Sequence, residues 1–233
     1  MGMFDISLIW SVMPTLLTGA RLTLVLTALV ALLGVALALP IAIARNARWS
    51  VLRTAANGYV LFFRGTPALV QLLLLYYGAG QFDLIRGSFL WPLLRDPFWC
   101  VVIALGLNSA AYGGKTLAAS LAAVPRGIRE AAFVLGLSRA RTFFHLELPL
   151  ALRTALPALG NDVVLTCKAT SLASTVTLLD LTGTARLLTS ETYAPYEVFI
   201  GAGLVYLSIN YILMAGLRQL ERHLDLHSTP RTA

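Results

Sequence analysis

From Leu22 to Ile43 the chain runs for 22 residues without a charge. Coiled as an α-helix at 1.5 Å per residue, that stretch reaches roughly 33 Å, enough to cross a hydrocarbon core of about 30 Å. Four more stretches share its character: Gly58–Gly80, interrupted by Arg64-Gly65-Thr66-Pro67; Phe98 to about Leu121, which contains Lys115; Thr154–Leu179, which carries Asp162 and Lys168; and the uncharged Val198–Leu217. Composition agrees, because 12% charged residues and a mean hydropathy of +0.76 lie far from the roughly 25% charge of a soluble domain. The expectation is an all-α, polytopic membrane bundle of about five transmembrane helices, a single domain over residues 1–233. Neither a repeat nor a low-complexity segment divides it. Met1–Trp10 lacks the basic n-region of a cleavable signal peptide.

Orientation follows from the arginines. With the N-terminus outside, the inner segments hold Arg45, Arg48 and Arg53, five arginines between 122 and 153, and Arg218, Arg222 and Arg231, eleven in all. The outer segments hold four, Arg21, Arg86, Arg95 and Arg186. This favours N-out and C-in, and puts the polar segment 122–153 in the cytoplasm as a loop within the bundle. The net charge of +7 therefore does not imply nucleic acid, since the basic residues follow loops instead of covering one soluble face.

Residues 111–116 read AYGGKT and end like a nucleotide-binding phosphate loop. The full loop needs G-x-x-x-x-G-K-[ST] on a short strand and turn. Here the first glycine is replaced by Ser109, and the approach is the long uncharged run Phe98–Tyr112. No phosphate loop is expected. Cys100 and Cys167 lie in apolar surroundings and read as packing residues, while His145, His223 and His227 do not form a metal constellation. No metal site and no catalytic residue are assigned.

The segment 122–153 carries a long spaced pattern. Glu130-Ala131-Ala132 is followed after three residues by Gly136, and nine residues later by Leu146-Glu147-Leu148-Pro149. This resembles the cytoplasmic loop of ABC importer permeases, with every spacing met. Phe63-Arg64-Gly65-Thr66-Pro67 with Val70-Gln71-Leu72 is similar to the F-R-G-T-P-x-x-V-Q-L run of polar amino acid permeases. Leu107-Asn108, Ala111-Tyr112, Leu156-Pro157 with Asn161, and Lys168-Ala169-Thr170-Ser171-Leu172 fit the same subfamily. The resemblance extends over nearly the whole chain and is strongest to the M-type permeases of histidine, lysine-arginine-ornithine and opine importers. Lys115 departs from it, because relatives usually carry glutamate there.

The resemblance implies a permease subunit of an ATP-driven importer for polar, basic amino acids, in a bacterial cytoplasmic membrane. Its implied partners are a cytosolic ATPase dimer, a second permease copy, identical or homologous, an extracytoplasmic amino-acid-binding protein, and lipid. The chain itself would hold no cofactor, Mg-ATP being used by the ATPase. Glu130, Ala131, Ala132, Gly136, Leu148 and Pro149 would couple the ATPase to the spans. The residues fit that role physically, since a short helix of good formers is ended or bent at Gly136 and two alanines permit close approach by another surface.

Charges at membrane depth cost about 2.5 to 3.5 kcal/mol on insertion scales, so they face a cavity, pair or snorkel. Lys115 is near its span's inner end and can snorkel. Arg64 precedes a Gly-Thr-Pro break of the kind that lines transporter cavities. At 100° per residue Asp162, Thr166, Thr170 and Ser174 form one i+4 stripe, with Asn161 and Lys168 on a neighbouring one. Asn161, Asp162, Arg64, Thr66, Thr166, Lys168 and Ser171 are the candidate substrate-binding residues, Asn161 and Asp162 leading. Two other classes stay open on the residues alone: an ion-coupled secondary transporter using Asp162, Arg64 and Lys168 as a relay, and a membrane scaffold with buried hydrogen-bonding networks.

Overall fold

The computed structural model describes residues 5–223; His227 and Arg231 lie outside them. In chain order the helices are α1 (Ile6–Arg45), α2 (Ser50–Gly65), α3 (Ala68–Gly78), α4 (Asp83–Arg86), α5 (Trp91–Leu94), α6 (Pro97–Ala122), α7 (Arg126–Val134), α8 (Arg139–Thr142), α9 (Leu148–Ala169), α10 (Leu181–Thr192) and α11 (Pro195–His223). Among the described residues α1, α6 and α11 are each long and apolar enough to cross a membrane. Two bent units, Ser50–Gly65 with Ala68–Gln81 at 100° and Arg139–Val176 with α10 at 50°, bring the number to five if each is one span. The five expected apolar stretches all fall within these units, with altered ends.

The largest shift is at the start. α1 begins at Ile6, 16 residues before Leu22, because the exposed Arg21 does not interrupt a helix whose opposite side stays apolar. The Asp5 carboxylate caps it, accepting from the Ser7 amide at 2.8 Å, and the Asp5 amide donates to Glu197 of α11 at 3.2 Å. The fourth stretch likewise continues beyond Leu179 into α10. Between them, residues 170–176 tighten into a 3₁₀ turn that stops at Thr177, whose φ of 69° is left-handed. Asp180 restarts the helix by accepting from the Thr182 and Gly183 amides, while Tyr206 of α11 donates to the same carboxylate.

α1 threads all three apolar clusters. Leu16 packs with Leu181 and Val198, Leu26 and Val30 with Cys100, Val101 and Val176, and Ala42 with Leu117, Ala151 and Ala155. Its most extensive partner is α6. The two approach closely because small residues on each receive side chains of the other: a Cβ on Gly34 would meet Ser109 at 2.5 Å, one on Gly106 would meet Leu33 at 2.5 Å, and one on Gly114 would meet Ile41 at 2.5 Å. Without a hydrophobic driving force between helices in lipid, this contact area and its dispersion attraction hold the pair. Gly113 and Gly114 are thus packing glycines inside a continuous helix, which explains AYGGKT without a nucleotide.

Gly114→Leu would force Ile41 and α1 away, at about 1 to 3 kcal/mol for overpacking. Gly216, in α11, has open space around it, and Gly216→Leu is the matched control. Thermal unfolding in detergent is expected to shift down for Gly114→Leu and to stay near wild type for Gly216→Leu.

Candidate functional site

The break between α2 and α3 follows from Pro67, whose ring disfavours helical geometry at the preceding residue. Thr66 accordingly takes extended angles, φ −118° and ψ 148°. This frees carbonyls at the end of α2, and Gln71 collects them. Its side-chain amide, only 7% exposed, donates to the carbonyls of Phe63 and Thr66 and to the Thr66 hydroxyl at 2.6 Å. Asn108 of α6 closes the circuit, donating to the Phe63 carbonyl at 2.8 Å and to the Gln71 side-chain oxygen at 3.0 Å. One turn earlier Tyr59 donates to the Leu107 carbonyl at 2.6 Å. The bent unit is therefore pinned to α6 by polar contacts on both sides of Arg64.

Pinning α2 here brings the Arg64 guanidinium over the Tyr112 ring, 4.7 Å from its centroid. Tyr112 lines a cavity of about 210 Å³ between α1, α6 and α9. Asn108 and Ser109 line it from α6, Asp162 and Thr166 from α9, and Val30 from α1. Asp162 is half-buried and also borders the narrow gap beneath, beside Gly34 and Gly113. The ion pairs among the described residues, Arg86 with Asp83 and Arg129 with Glu147, include neither Asp162 nor Arg64. The site thus offers a carboxylate, hydroxyl and amide groups, an aromatic face and a nearby guanidinium within apolar walls. Such a set can hold a small zwitterion or cation by charge-assisted hydrogen bonds.

The candidate residues divide. Asp162 and Thr166 line the cavity, and Arg64 reaches its wall through Tyr112. Thr66 stays in the break, its hydroxyl donating to the Phe62 carbonyl and accepting from Gln71. Asn161 and Lys168 fall on an exposed face of α9 outside this cavity, and Ser171 donates to the Lys168 carbonyl. The expected i+4 stripe ends after Thr166. Thr170, Ser171, Ser174 and Thr175 each donate to the carbonyl three residues back, α9 gives way to a 3₁₀ turn from Thr170, and neither Thr170 nor Ser174 lines the cavity. Gln71, Asn108, Ser109 and Tyr112 are not among the residues expected to bind substrate; a glutamine inside an apolar run after a Gly-Thr-Pro break is the signal that marks the first.

At the other end, α7 presents a blunt knuckle. It begins at Arg126 and is closed at Gly136, whose φ is +71°. The Gly136 amide donates to the Phe133 carbonyl and the Leu137 amide to that of Ala132, each at 3.0 Å, closing the helix in the manner that favours glycine. Glu130 and Ala131 are exposed, but Ala132 is 1% exposed and packs inward, so a single alanine is left for close approach by another surface. Phe133, Val134 and Leu135 stand out instead, 83, 82 and 77% exposed. Leu148 and Pro149 start α9; Pro149 has no amide to give the His145 carbonyl, and Phe143–Glu147 widens into a π-turn just before it.

Gln71→Leu keeps the volume but leaves the Thr66 carbonyl without its donor and takes one of two partners from the Phe63 carbonyl and from the Asn108 amide, at about 1 to 3 kcal/mol. A paramagnetic or fluorescent label pair on α2 and α6 is expected to report a broader distance distribution in that variant than in wild type.

Residues 32–226 match the family described as binding-protein-dependent transport system inner membrane component. The octopine transport system permease protein OccM of Rhizobium radiobacter is 43% identical over 210 residues, covering 90% of this chain and 86% of that protein. The arginine ABC transporter permease protein ArtM of Haemophilus influenzae is 38% identical over 210 residues, covering 90 and 92%. Among solved structures, an amino acid ABC transporter crystallised with histidines superposes with a TM-score of 0.84 at 31% identity, covering 95% of this chain and all of that one. The chain belongs to the family of inner membrane components of binding-protein-dependent transport systems.

Proposed function

We propose that this chain is the permease subunit of an ATP-driven importer for basic amino acids or opines, and that α7 couples it to a cytosolic ATPase. The observation that carries the reading is the glycine-ended α7 with its exposed Phe133-Val134-Leu135. A rigid, apolar projection at a bundle's end suits insertion into a groove of another protein. Octopine and arginine, named for two relatives, both carry a guanidinium group, and a carboxylate such as Asp162 suits that end of the substrate.

In this reading the N-terminus is outside and residues 122–153 are cytoplasmic. An extracytoplasmic binding protein delivers the substrate. Asp162 receives its cationic end, Thr166, Ser109 and Asn108 exchange hydrogen bonds with its hydration, and Arg64 meets its carboxylate from above Tyr112. At about 210 Å³ the cavity is smaller than the roughly 300 to 1,000 Å³ of complete small-molecule sites. That supports a pathway completed by a second permease, toward which the exposed Asn161 and Lys168 of α9 would face. ATP closure of the ATPase dimer displaces α7, and the bundle opens inward. The chain performs no bond chemistry in this scheme and holds no cofactor; Glu130 engages the ATPase groove, and Mg-ATP stays with that partner.

The test is uptake and ATP hydrolysis by the complete importer in proteoliposomes. Asp162→Asn removes one charge-assisted contact, and uptake of a basic amino acid at subsaturating concentration is expected to fall roughly tenfold to a hundredfold, with the ATPase still bound. Gly136→Val strains the end of α7, and hydrolysis is expected to lose its stimulation by the loaded binding protein. Wild-type uptake in both variants would refute the assignment.

A further inference from the structure

A second cavity lies where the ends of α1 and α6 meet the arginine-bearing start of α7. It is a cleft of about 580 Å³ that continues into a neighbouring space of about 560 Å³, the two sharing Asn46, Arg48, Arg129, Phe143 and Glu147. Arg126 lines the first and Arg139 the second, so four arginines stand against a single glutamate. Arg129 is spent internally: it pairs with both oxygens of Glu147 at 2.9 and 3.3 Å and donates to the Leu121 carbonyl. Arg48, Arg126 and Arg139 are exposed and take part in no ion pair among the described residues. Three guanidinium groups are left around a cleft that can accept an anion.

The cleft is not uniformly polar. Ile43 and Leu121, in the last turns of the spanning helices α1 and α6, form its wall together with Phe143. Beside Arg48, Trp49 and Val51 are each 81% exposed at the start of α2. An exposed tryptophan next to arginines at a span's end marks headgroup depth. Basic pockets between helices at this level, with an apolar side toward the acyl region, have the chemistry of phospholipid headgroup sites. A protein partner would not need the apolar wall to continue into the spans.

We propose that this cleft binds an anionic phospholipid, its phosphate held between Arg48 and Arg126 and its glycerol end lying along Ile43 and Leu121. The bound lipid anchors the root of α7 to the leaflet and relieves repulsion among the arginines where the coupling element joins the bundle. The lipid assignment rests on the permease reading only for this consequence; binding itself is independent of which partner α7 engages or which side it faces.

The assembled importer, purified from a membrane containing phosphatidylglycerol and phosphatidylcholine, is analysed by native mass spectrometry for retained lipid. Wild type is expected to retain phosphatidylglycerol in preference to phosphatidylcholine. Arg48→Gln with Arg126→Gln is expected to weaken that retention roughly tenfold or more, from the worth of two arginines near an anionic surface. Arg48→Lys with Arg126→Lys is expected to keep most of it, which separates lost charge from misfolding. Equal retention of the two lipids by wild type, or unchanged phosphatidylglycerol in the glutamine variant, overturns the proposal. Displacement of the lipid by inorganic phosphate would assign the cleft to a free anion and overturn it too. So would loss of the ATPase from the glutamine variant with phosphatidylglycerol intact, which would make these arginines a protein contact.

Discussion

The close approach of α1 and α6 is the constraint on which the rest of the molecule depends. Gly34, Gly106 and Gly114 let each helix receive side chains of the other, and the resulting pair has a polar and an apolar consequence. It presents Asn108, Ser109 and Tyr112 along one side of α6, where α9 adds Asp162 and Thr166. It also runs α1 through all three apolar clusters, so that both ends of the bundle share one continuous helix. A displacement applied at Ala42 or Leu121 is thereby passed toward Leu26 and Val30 along the packed α1–α6 contact, Pro40 lying between the two ends, since close-packed interiors transmit strain.

Irregular backbone is confined to places where side chains repair it. Pro67 breaks the second unit, and Gln71 with Asn108 takes up the freed groups. The turn after α9 is edged by hydroxyls bonded to their own backbone, and Asp180 restarts the chain at a residue with no exposure at all. Both breaks border α6 or the cavity, as expected where a membrane protein tolerates non-helical backbone only when it is buried in protein or lines a cavity. The helices and the breaks together describe a bundle with two bent units set against the closely packed α1–α6 pair.

Much of this was legible in the sequence for reasons that are local. A long uncharged run has one outcome in lipid, Pro67 constrains its own neighbour, and Gly136 ends a helix through its own backbone angle. Asp162 was conspicuous because a charge in an apolar run must face something polar. The face assignments on α9 were less secure, because a helical wheel gives the angles between residues and not which angle points at the bundle. Asn161 and Lys168 consequently lie outside the cavity that Asp162 lines. Thr170 and Ser174 drop out of the cavity lining because the α-helical period ends at Ala169, and the exposure of Phe133-Val134-Leu135 follows from Ala132 taking the inward position. The tail of AYGGKT was ambiguous for the opposite reason: glycine serves close backbone approach to phosphate and to another helix alike.

Coupling as proposed requires α7 to be a cytosolic projection able to receive force from a separate motor. Cys100 and Cys167 are buried, so a cysteine placed at Leu135 can be read against a low background with a membrane-impermeant maleimide in intact and permeabilised cells. Labelling is expected to require permeabilisation and to be suppressed when the ATPase is co-expressed. Labelling of intact cells to the same extent would put α7 on the external side and contradict it.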